Sequence, residues 1–392
     1  YESAGRLTEA ITLYEQVLPD SIRVLGEDHP DTLTSRNNLA YAYRAAGRLT
    51  EAITLYEQAL TDSTRILGED HPDTLTSRNN LAGAYRAAGR LTEAIALYEQ
   101  VLPDSIRVLG EDHPDTLTSR NNLAGAYRAA GRLTEAIALY EQVLPDRIRV
   151  LGEDHPNTLT SRNNLAGAYE SAGRLTEAIT LYEQVLPDSI RVLGEDHPDT
   201  LTSRNNLAGA YRAAGRLTEA IALYEQVLPD RIRVLGEDHP DTLTSRNNLA
   251  GAYRAAGRLT EAITLYEQVL TDRTRVLGED HPDTLTSHNN LAYAYRAAGR
   301  LTEAITLYEQ VLTDRTRVLG EDHPDTLASR NNLAYAYESA GRLTEAITLY
   351  EQVLTDCLRI LGPDHPLTAT VRNNLEAAQR KLKQREDDSP TE

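Results

Sequence analysis

Histidine recurs in this sequence in the pattern that comes nearest to a site for chemistry. Nine histidines, from His29 to His365, each follow an aspartate and precede a proline in a short linker. Aspartate and histidine are both metal ligands, but each linker offers one histidine, with no cysteine and no second histidine nearby. Proline in the first turn and acids near the positive end of the helix dipole are helix-start signals. We therefore interpret these linkers as helix starts and expect no metal site.

An enzyme would need a nucleophile, a base and oxyanion donors that converge at one asymmetric place. A surface that is copied many times lacks that asymmetry, and the unique His288, which replaces an arginine, has no partners that mark it as catalytic. The sequence also lacks a Gly-x-x-x-x-Gly-Lys-Ser/Thr loop for nucleotide phosphates. We predict that this chain is not an enzyme and needs no cofactor.

The elements that carry these residues come from one unit of 42 residues that recurs in tandem, which is the signature of a solenoid. Residues 1–4 match residues 337–340, so we expect them to be the remnant of a preceding repeat in a longer array. Residues 5–382 hold nine repeats, and residues 383–392 hold the end of a capping helix and a disordered acidic tail. The repeats begin at Gly5, Gly47, Gly89, Gly131, Gly173, Gly215, Gly257, Gly299 and Gly341.

Composition excludes several classes of partner. The chain of 392 residues has a formal net charge of -19, which opposes binding to nucleic-acid phosphates. No apolar run approaches the ~20 residues that a membrane-spanning helix needs, so we expect no membrane partner. The single cysteine, Cys357, allows no disulfide within the chain and fits a reducing cytoplasm. The core must be built without Met, Phe or Trp.

Each repeat contains two helices according to its hydrophobic periodicity. The stretch from Pro114 to Gly152 contains one full pair, in which helix A covers roughly residues 115–129 and helix B begins at Leu133. Proline in a helix interior costs about 3 kcal/mol or more, so we expect a kink or a fresh start at Pro145. Gly152 is available for a left-handed cap at the end of helix B.

Helix A also carries a polar strip opposite its apolar face, and stacking places the strips of successive A helices side by side. A side-chain amide on such a strip offers both a donor and an acceptor to a peptide unit of any sequence. In one repeat the strip consists of Thr118, Asn121, Asn122, Gly125 and Arg128.

The spacing of conserved-looking residue types resembles the tetratricopeptide signature W-x-x-L-G-x-x-Y, A-x-x-x-F, P. The matching positions, with Arg for Trp, Ala for Gly and Tyr for Phe, are Arg120, Leu123, Ala124, Tyr127, Ala136, Tyr140 and Pro156. The 42-residue form with a Leu-Gly-Glu-Asp-His-Pro linker is similar to repeats of kinesin light chain and of sensor arrays on bacterial STAND-type ATPases. The resemblance implies an all-α fold, an α-solenoid with a right-handed superhelix of antiparallel helix pairs.

In kinesin light chain, asparagines of the A helices line a concave groove and bond to the backbone of an extended cargo peptide. The resemblance implies that role for the first asparagine of each pair, or for the asparagine that follows it. An alternative is that one of each pair bridges neighbouring helices. The first asparagines are Asn37, Asn79, Asn121, Asn163, Asn205, Asn247, Asn289 and Asn331. The candidates among the second are Asn122, Asn164 and Asn206.

The copies differ at several positions of the polar strip, and two of these positions bear on function. One position is tyrosine near the two ends of the chain, at Tyr41, Tyr293 and Tyr335, and glycine in the five middle repeats. Because glycine destabilises a helix, these glycines indicate either space for the backbone of a ligand, or duplication of a residue that has no role. One turn on, Glu170 and Glu338 interrupt a series of arginines, so we expect a neutral to basic groove, unless this is only a solvated face. The arginines that we expect to contact a ligand are Arg86, Arg128, Arg212 and Arg254.

The sequence thus favours a scaffold that holds an extended peptide or protein segment of acidic or mixed charge in a groove lined by the A helices. Two alternatives stay open: a ligand-sensing regulatory segment of a larger STAND-type ATPase, and a consensus-like spacer without a specific ligand. The absence of an N-terminal cap also predicts an exposed apolar face there and possible end-to-end self-association.

Overall fold

The computed structural model describes residues 7–387, which are helical apart from short connections. Residues 1–4 and 388–392, assigned above to the repeat remnant and the tail, lie outside the described residues. The B helices are α1 (Leu7–Leu25), α3 (Leu49–Leu67), α5 (Leu91–Leu109), α7 (Leu133–Leu151), α9 (Leu175–Leu193), α11 (Leu217–Leu235), α13 (Leu259–Leu277), α15 (Leu301–Leu319) and α17 (Leu343–Ile360). The A helices are α2 (Pro30–Ala45), α4 (Pro72–Ala87), α6 (Pro114–Ala129), α8 (Pro156–Ser171), α10 (Pro198–Ala213), α12 (Pro240–Ala255), α14 (Pro282–Ala297), α16 (Pro324–Ser339) and α18 (Pro366–Asp387).

The linker histidines act as helix caps, which confirms the interpretation of the linkers as helix starts. Nδ1 of His113 accepts a hydrogen bond of 3.2 Å from the backbone N–H of Asp115, and Pro114 opens α6. At the other end of α6, Gly131 has a φ of 75° and the N–H of Arg132 donates back to the carbonyl of Tyr127 at 2.9 Å. This is the Schellman pattern that satisfies the last carbonyls of a helix.

Of the two outcomes predicted at Pro145, a kink or a fresh start, the fresh start is wrong, and the left-handed cap predicted at Gly152 is wrong as well. Helix α7 continues from Leu133 to Leu151 through Pro145, with no fresh start. Pro145 is exposed, so water can satisfy the carbonyl that loses its N–H partner. Gly152 has a φ of 94° but a ψ of 161°, so it adopts the extended, glycine-only conformation and not the left-handed helical one.

The core of each repeat is shared with its neighbours. One cluster of buried residues combines Ala124 of α6, Ile137 and Tyr140 of α7, and Leu165 and Ala168 of α8. Small alanines let the helix backbones approach, and the tyrosine rings supply the bulk that Phe or Trp would otherwise give. A single helix pair therefore cannot bury its own apolar face, and stacking is required.

Ion pairs join each A helix to the B helix that follows it, and that B helix to the linker before the A helix. Nη1 of Arg120 in α6 donates to Asp146 of α7 at 3.1 Å, and Arg149 of α7 donates both to Asp146 at 3.1 Å and to Asp112 at 2.7 Å. These bonds hold the pKa of Asp112 below its ordinary value. Arg120 stands at the Trp position of the tetratricopeptide signature, so here an ion pair replaces an aromatic contact.

The chain divides into two units, residues 1–245 and residues 246–392. In the first unit, Val17 of α1 is 46% exposed, whereas the equivalent Val101 of α5 is fully buried because a preceding repeat covers it. In the second unit, α18 extends to Asp387, so residues 383–387 belong to the capping helix, and Nη1 of Arg385 donates to the carbonyl of Gly341 at 3.1 Å.

The proline in helix B can be tested with the repeats that carry threonine in the same slot. Pro145→Thr should raise the free energy of unfolding by about 1–3 kcal/mol, because the backbone N–H at residue 145 regains its acceptor. The matched Thr313→Pro change should lower it by a similar amount. Urea denaturation followed by circular dichroism measures both, and equal stabilities would contradict this account.

His288 interrupts the ion-pair series of the second unit. Arg330 donates to Asp356 at 2.9 Å, but at the corresponding position His288 is buried opposite Asp314, and burial lowers the pKa of its imidazole from 6.5. The folded state therefore loses stability as the pH falls below 6.5, because the unfolded state takes up the proton first.

His288→Arg should stabilise the chain by about 1 kcal/mol near neutral pH through the restored ion pair, and by more in mild acid. Thermal unfolding between pH 5 and pH 8 measures the effect, with Arg330→His as the reciprocal variant. A gain that does not grow as the pH falls would count against the role assigned to His288.

Candidate functional site

The polar strips of successive A helices form one surface, which we call the A face, within each of the two units. In the first unit, α4 contacts α6 and α6 contacts α8 directly, so equivalent residues of neighbouring repeats meet. On α6, Asn121 and Gly125 are buried, whereas Asn122 and Arg128 are half-buried. In this pair the first asparagine therefore lies deeper than the second.

Asparagines of neighbouring repeats are joined by amide hydrogen bonds. In each case Nδ2 of the second asparagine of one pair donates to Oδ1 of the first asparagine in the preceding repeat. The bonds are Asn164 to Asn121 at 3.4 Å, Asn290 to Asn247 at 3.0 Å, Asn332 to Asn289 at 2.9 Å and Asn374 to Asn331 at 3.1 Å. These contacts are the helix-bridging role that the sequence left open as an alternative.

Three first asparagines are arranged differently. The Oδ1 atoms of Asn37, Asn79 and Asn163 are buried and accept no hydrogen bond from any described residue. Nδ2 of Asn79 instead donates to Oγ of Ser119 at 2.7 Å. In contrast, Oδ1 of Asn205 accepts a hydrogen bond of 2.9 Å from Ser245. Buried acceptors without a donor are uncommon in folded proteins, so these three positions require an explanation.

Some glycines of the strip lie under arginines of the preceding repeat. A Cβ added to Gly83 would lie 2.9 Å from Nη1 of Arg44, and one added to Gly125 would lie 2.6 Å from Nη1 of Arg86. Glycine therefore lets the guanidinium group rest against the next helix, which is a packing role that the sequence did not reveal.

Where tyrosine replaces glycine, the arginine of the preceding repeat stacks on the ring. The guanidinium carbon of Arg254 lies 4.1 Å from the ring centroid of Tyr293, and Arg296 is equally close to Tyr335. At the other end of the chain, Arg44 lies 5.0 Å from the ring of Tyr41. The three rings stay partly exposed, so each offers a cation–π surface on the A face.

Glu170 interrupts this arginine series in the first unit. Burial raises the pKa of its carboxyl group, and the charges of Arg212 and Arg128 and a hydrogen bond with Tyr182 oppose that shift only in part. Burial and the nearby Glu170 also raise the pKa of Tyr182. The structure thus brings Arg128, Glu170 and Arg212 together on the A face, so its charge varies from repeat to repeat.

Sequence reasoning missed one set of residues at this site. A slot on helix B points towards the A helices and holds Ser63 in one repeat and Arg147 in another, and both side chains are buried. The sequence feature that could have revealed this slot is the alternation of Ser and Arg in nearly identical copies, with Cys357 in the same slot.

Within residues 7–387, no group of three His, Cys, Asp or Glu side chains is arranged to hold a metal ion. Over the same residues, no helix is both long and apolar enough to cross a membrane.

Comparison with protein families gives one match that extends along almost the whole chain. The model described as tetratricopeptide repeat matches overlapping stretches, namely residues 1–64, 36–105, 79–147, 115–188, 172–231, 205–272, 241–314, 285–357 and 331–387. Among curated proteins, none matches this chain significantly.

Several solved structures are similar to this chain. The nearly identical TPR-like repeats of a putative kinesin light chain from Podosopora anserina share 40% identity, with 52% of this chain and 97% of that chain covered and a TM-score of 0.47. The apo form of the quorum sensor NprR from B. thuringiensis shares 15% identity over 89% of this chain and 98% of that one, with a TM-score of 0.61. A Rap protein complexed with Competence and Sporulation Factor shares 12% identity, with 90% and 99% covered and a TM-score of 0.54.

The electrostatics of the A face can be tested at Glu170. Because its folded pKa lies above the unfolded value, the wild-type chain loses stability as the pH rises through that folded pKa. Glu170→Gln keeps an acceptor for Tyr182 and removes the charge, so its stability relative to wild type should increase from pH 4 to pH 7. Chemical denaturation at several pH values measures this difference. The exposed linker variant Glu153→Gln is the control, and parallel behaviour of both variants would contradict the account.

Proposed function

We propose, from the premise that this chain belongs to the tetratricopeptide repeat family, that its A face binds an extended peptide or protein segment. The observation that carries the proposal is the regular recurrence of polar side chains at equivalent positions of adjacent A helices. A pair of asparagines recurs at the same two positions of every A helix, an arginine follows at a third position in most of them, and neighbouring A helices touch. A ligand backbone running across the A helices would therefore meet a new amide at each step, irrespective of its sequence.

The second asparagines are the ligand contacts that this arrangement favours most. Asn122 and Asn206 are half-buried and more accessible than Asn121 and Asn205, whose side chains are more than nine-tenths buried. We still predict that the first asparagines contact the ligand, because a ligand could replace the hydrogen bond by which such an amide now bridges two repeats. The fold is also that of a Rap protein solved with Competence and Sporulation Factor, which gives a precedent for a bound partner.

The arginines of the A face set the chemistry of the partner. Arg86, Arg128, Arg212 and Arg254 offer guanidinium donors, which pair well with carboxylates. Glu170 and Glu338 place carboxylates on the same series. We therefore propose a partner of acidic or mixed charge, bound in a cytoplasmic setting that suits a chain with one buried thiol.

The proposal is tested with a variant that removes three second asparagines, Asn122→Ala, Asn164→Ala and Asn206→Ala. A random-sequence peptide library displayed on phage is selected against the wild-type chain, and the affinities of the selected peptides are then measured. We expect the triple variant to bind them at least about tenfold more weakly, because several hydrogen bonds of about 0.5–1.5 kcal/mol each are lost.

The matched control changes three exposed amides of the B helices, Gln142→Ala, Gln184→Ala and Gln226→Ala, and should leave the affinity unchanged. Equal binding by both variants would overturn the assignment to the A face. Failure to select any peptide would favour the spacer alternative. Binding only of a small molecule, with a nucleotide-hydrolysing module in the same polypeptide, would favour the sensor alternative.

We also propose that the apolar surface of α1 supports end-to-end self-association. Leu13, Val17 and Leu25 are each more than 40% exposed, whereas the residue equivalent to Val17 in α5 is fully buried. Sedimentation velocity over a concentration series should show a dimer that Leu13→Gln with Val17→Gln removes. A monomer at all concentrations would refute this contact.

A further inference from the structure

One position on the B helices alternates between two side chains of very different size. In the first unit the slot holds serine on four B helices and arginine on two. Ser21 of α1 has no described A helix before it, so the comparison uses Ser63, Ser105 and Ser189 beside Arg147 and Arg231. All five side chains are almost completely buried. A repeat with serine must therefore either close around the missing guanidinium group or leave space for it.

The repeat with Arg147 shows how the guanidinium group is held. Nη1 donates to the carbonyl of Asn157 at 2.7 Å and to Oγ of Ser161 at 2.8 Å. Nη2 lies 3.4 Å from the carbonyl of Leu117 and 3.3 Å from Oγ1 of Thr118. All four acceptors are neutral oxygens, two from each of the A helices α6 and α8. Burial lowers the pKa of Arg147 to about 10, so the group is still a cation near neutral pH.

The corresponding place beside Ser63 is a cavity of about 290 Å³. A site for one water molecule needs only about 10–15 Å³, so the cavity has room for a planar guanidinium group. Its lining includes the residues equivalent to the four that hold Arg147, on helices α2 and α4. They are Leu33, Thr34, Asp73 and Ser77.

The buried acceptors without a donor coincide with the serine repeats. Asn37, which lines the cavity, stands before Ser63, Asn79 before Ser105, and Asn163 before Ser189, and these are the three asparagines with an unpartnered Oδ1 atom. Where the B helix that follows carries arginine in the slot, as Arg147 follows Asn121 and Arg231 follows Asn205, Oδ1 of the asparagine accepts a hydrogen bond. The slot at Ser63 therefore combines the acceptor set of a guanidinium site with one further oxygen that lacks a donor. The slots at Ser105 and Ser189 are surrounded by the same residue types in the sequence.

We propose that the slots at Ser63, Ser105 and Ser189 are binding sites for arginine side chains of the bound peptide, which would occupy the place that Arg147 fills in its own repeat. The inference rests on the proposed function in that the arginine comes from the peptide. The cavity at Ser63 is lined at its exposed edge by Thr34, Asn38 and Thr76 of the A face, so a side chain can enter from there.

Guanidinium fits this site better than the alternatives. Its planar fork presents five donors in fixed directions, whereas the ammonium of lysine is compact and more strongly hydrated. The carboxylate of Asp73 is exposed beside the cavity and offers a counter-charge. Arginines spaced like the serine slots would also fix the register of a peptide whose backbone is bound without regard to sequence.

The site is tested first without any peptide. N-acetyl-arginine amide is titrated into the wild-type chain and followed by NMR, beside the lysine and the citrulline analogues. We expect arginine amide to bind about tenfold or more tightly than the neutral, nearly isosteric citrulline amide, since hydrogen bonds from a charged donor are the stronger ones. Equal binding of the arginine and citrulline amides would overturn the proposal.

Two variants borrow substitutions that the chain already tolerates in sister repeats. Ser63→Arg with Ser105→Arg and Ser189→Arg fills the slots with resident side chains and should abolish binding of arginine amide. Arg147→Ser should open a further slot and raise the number of sites by one. Unchanged binding in the filled variant, or an unchanged number of sites in the opened variant, would refute the assignment.

The same variants separate this inference from the proposed function. If selected peptides bind the filled variant as tightly as wild type, the A face binds peptides but the slots do not bind arginine side chains of those peptides. If arginine amide binds and no peptide is selected, the slots stand and the peptide-binding proposal fails.

Discussion

Burial between neighbouring repeats is the interaction on which the whole structure depends. The rings and aliphatic side chains of each B helix, such as Tyr140 and Ile137, are covered by A helices on both sides. Val17 in α1 shows the consequence when that cover is missing, because it is almost half exposed while Val101 is fully buried. Without Met, Phe or Trp, the chain makes this core from alanine, leucine, isoleucine, valine and tyrosine. Close approach of the backbones is then essential, which is why alanine is so frequent at the contacts.

Polar contacts also join helices that are neighbours in the stack. Arg120 of α6 binds Asp146 of α7, the next helix along the chain, and Arg149 of α7 binds Asp112 in the linker before α6. The linker acids therefore stabilise the stacking, in addition to starting the next helix. Since the side chains that make these bonds are exposed or half-buried, their contribution is specificity of register more than net stability.

The asparagine pairs show that one residue can serve stacking and recognition at once. An amide that bridges two repeats is held in a fixed orientation, and a ligand that meets it pays little entropy to order it. The partner of that amide differs with the residue in the slot on helix B. Where arginine fills the slot, the asparagine Oδ1 accepts a bond from the next repeat, as at Asn121, and where serine fills it, Oδ1 has no donor, as at Asn79.

The sequence alone determined the helix pairs, their period and most of their boundaries. Proline, glycine and hydrophobic spacing act within a few residues, so His113-Pro114 and Gly131 mark helix ends without any knowledge of the neighbours. It could not determine that α7 continues through Pro145, because that depends on which face of the helix meets water. Nor could it show that Arg86 rests on Gly125, or that Ser63 borders a cavity lined by the counterparts of the residues that hold Arg147. These contacts join residues of different repeats, and only stacking brings them within bonding distance.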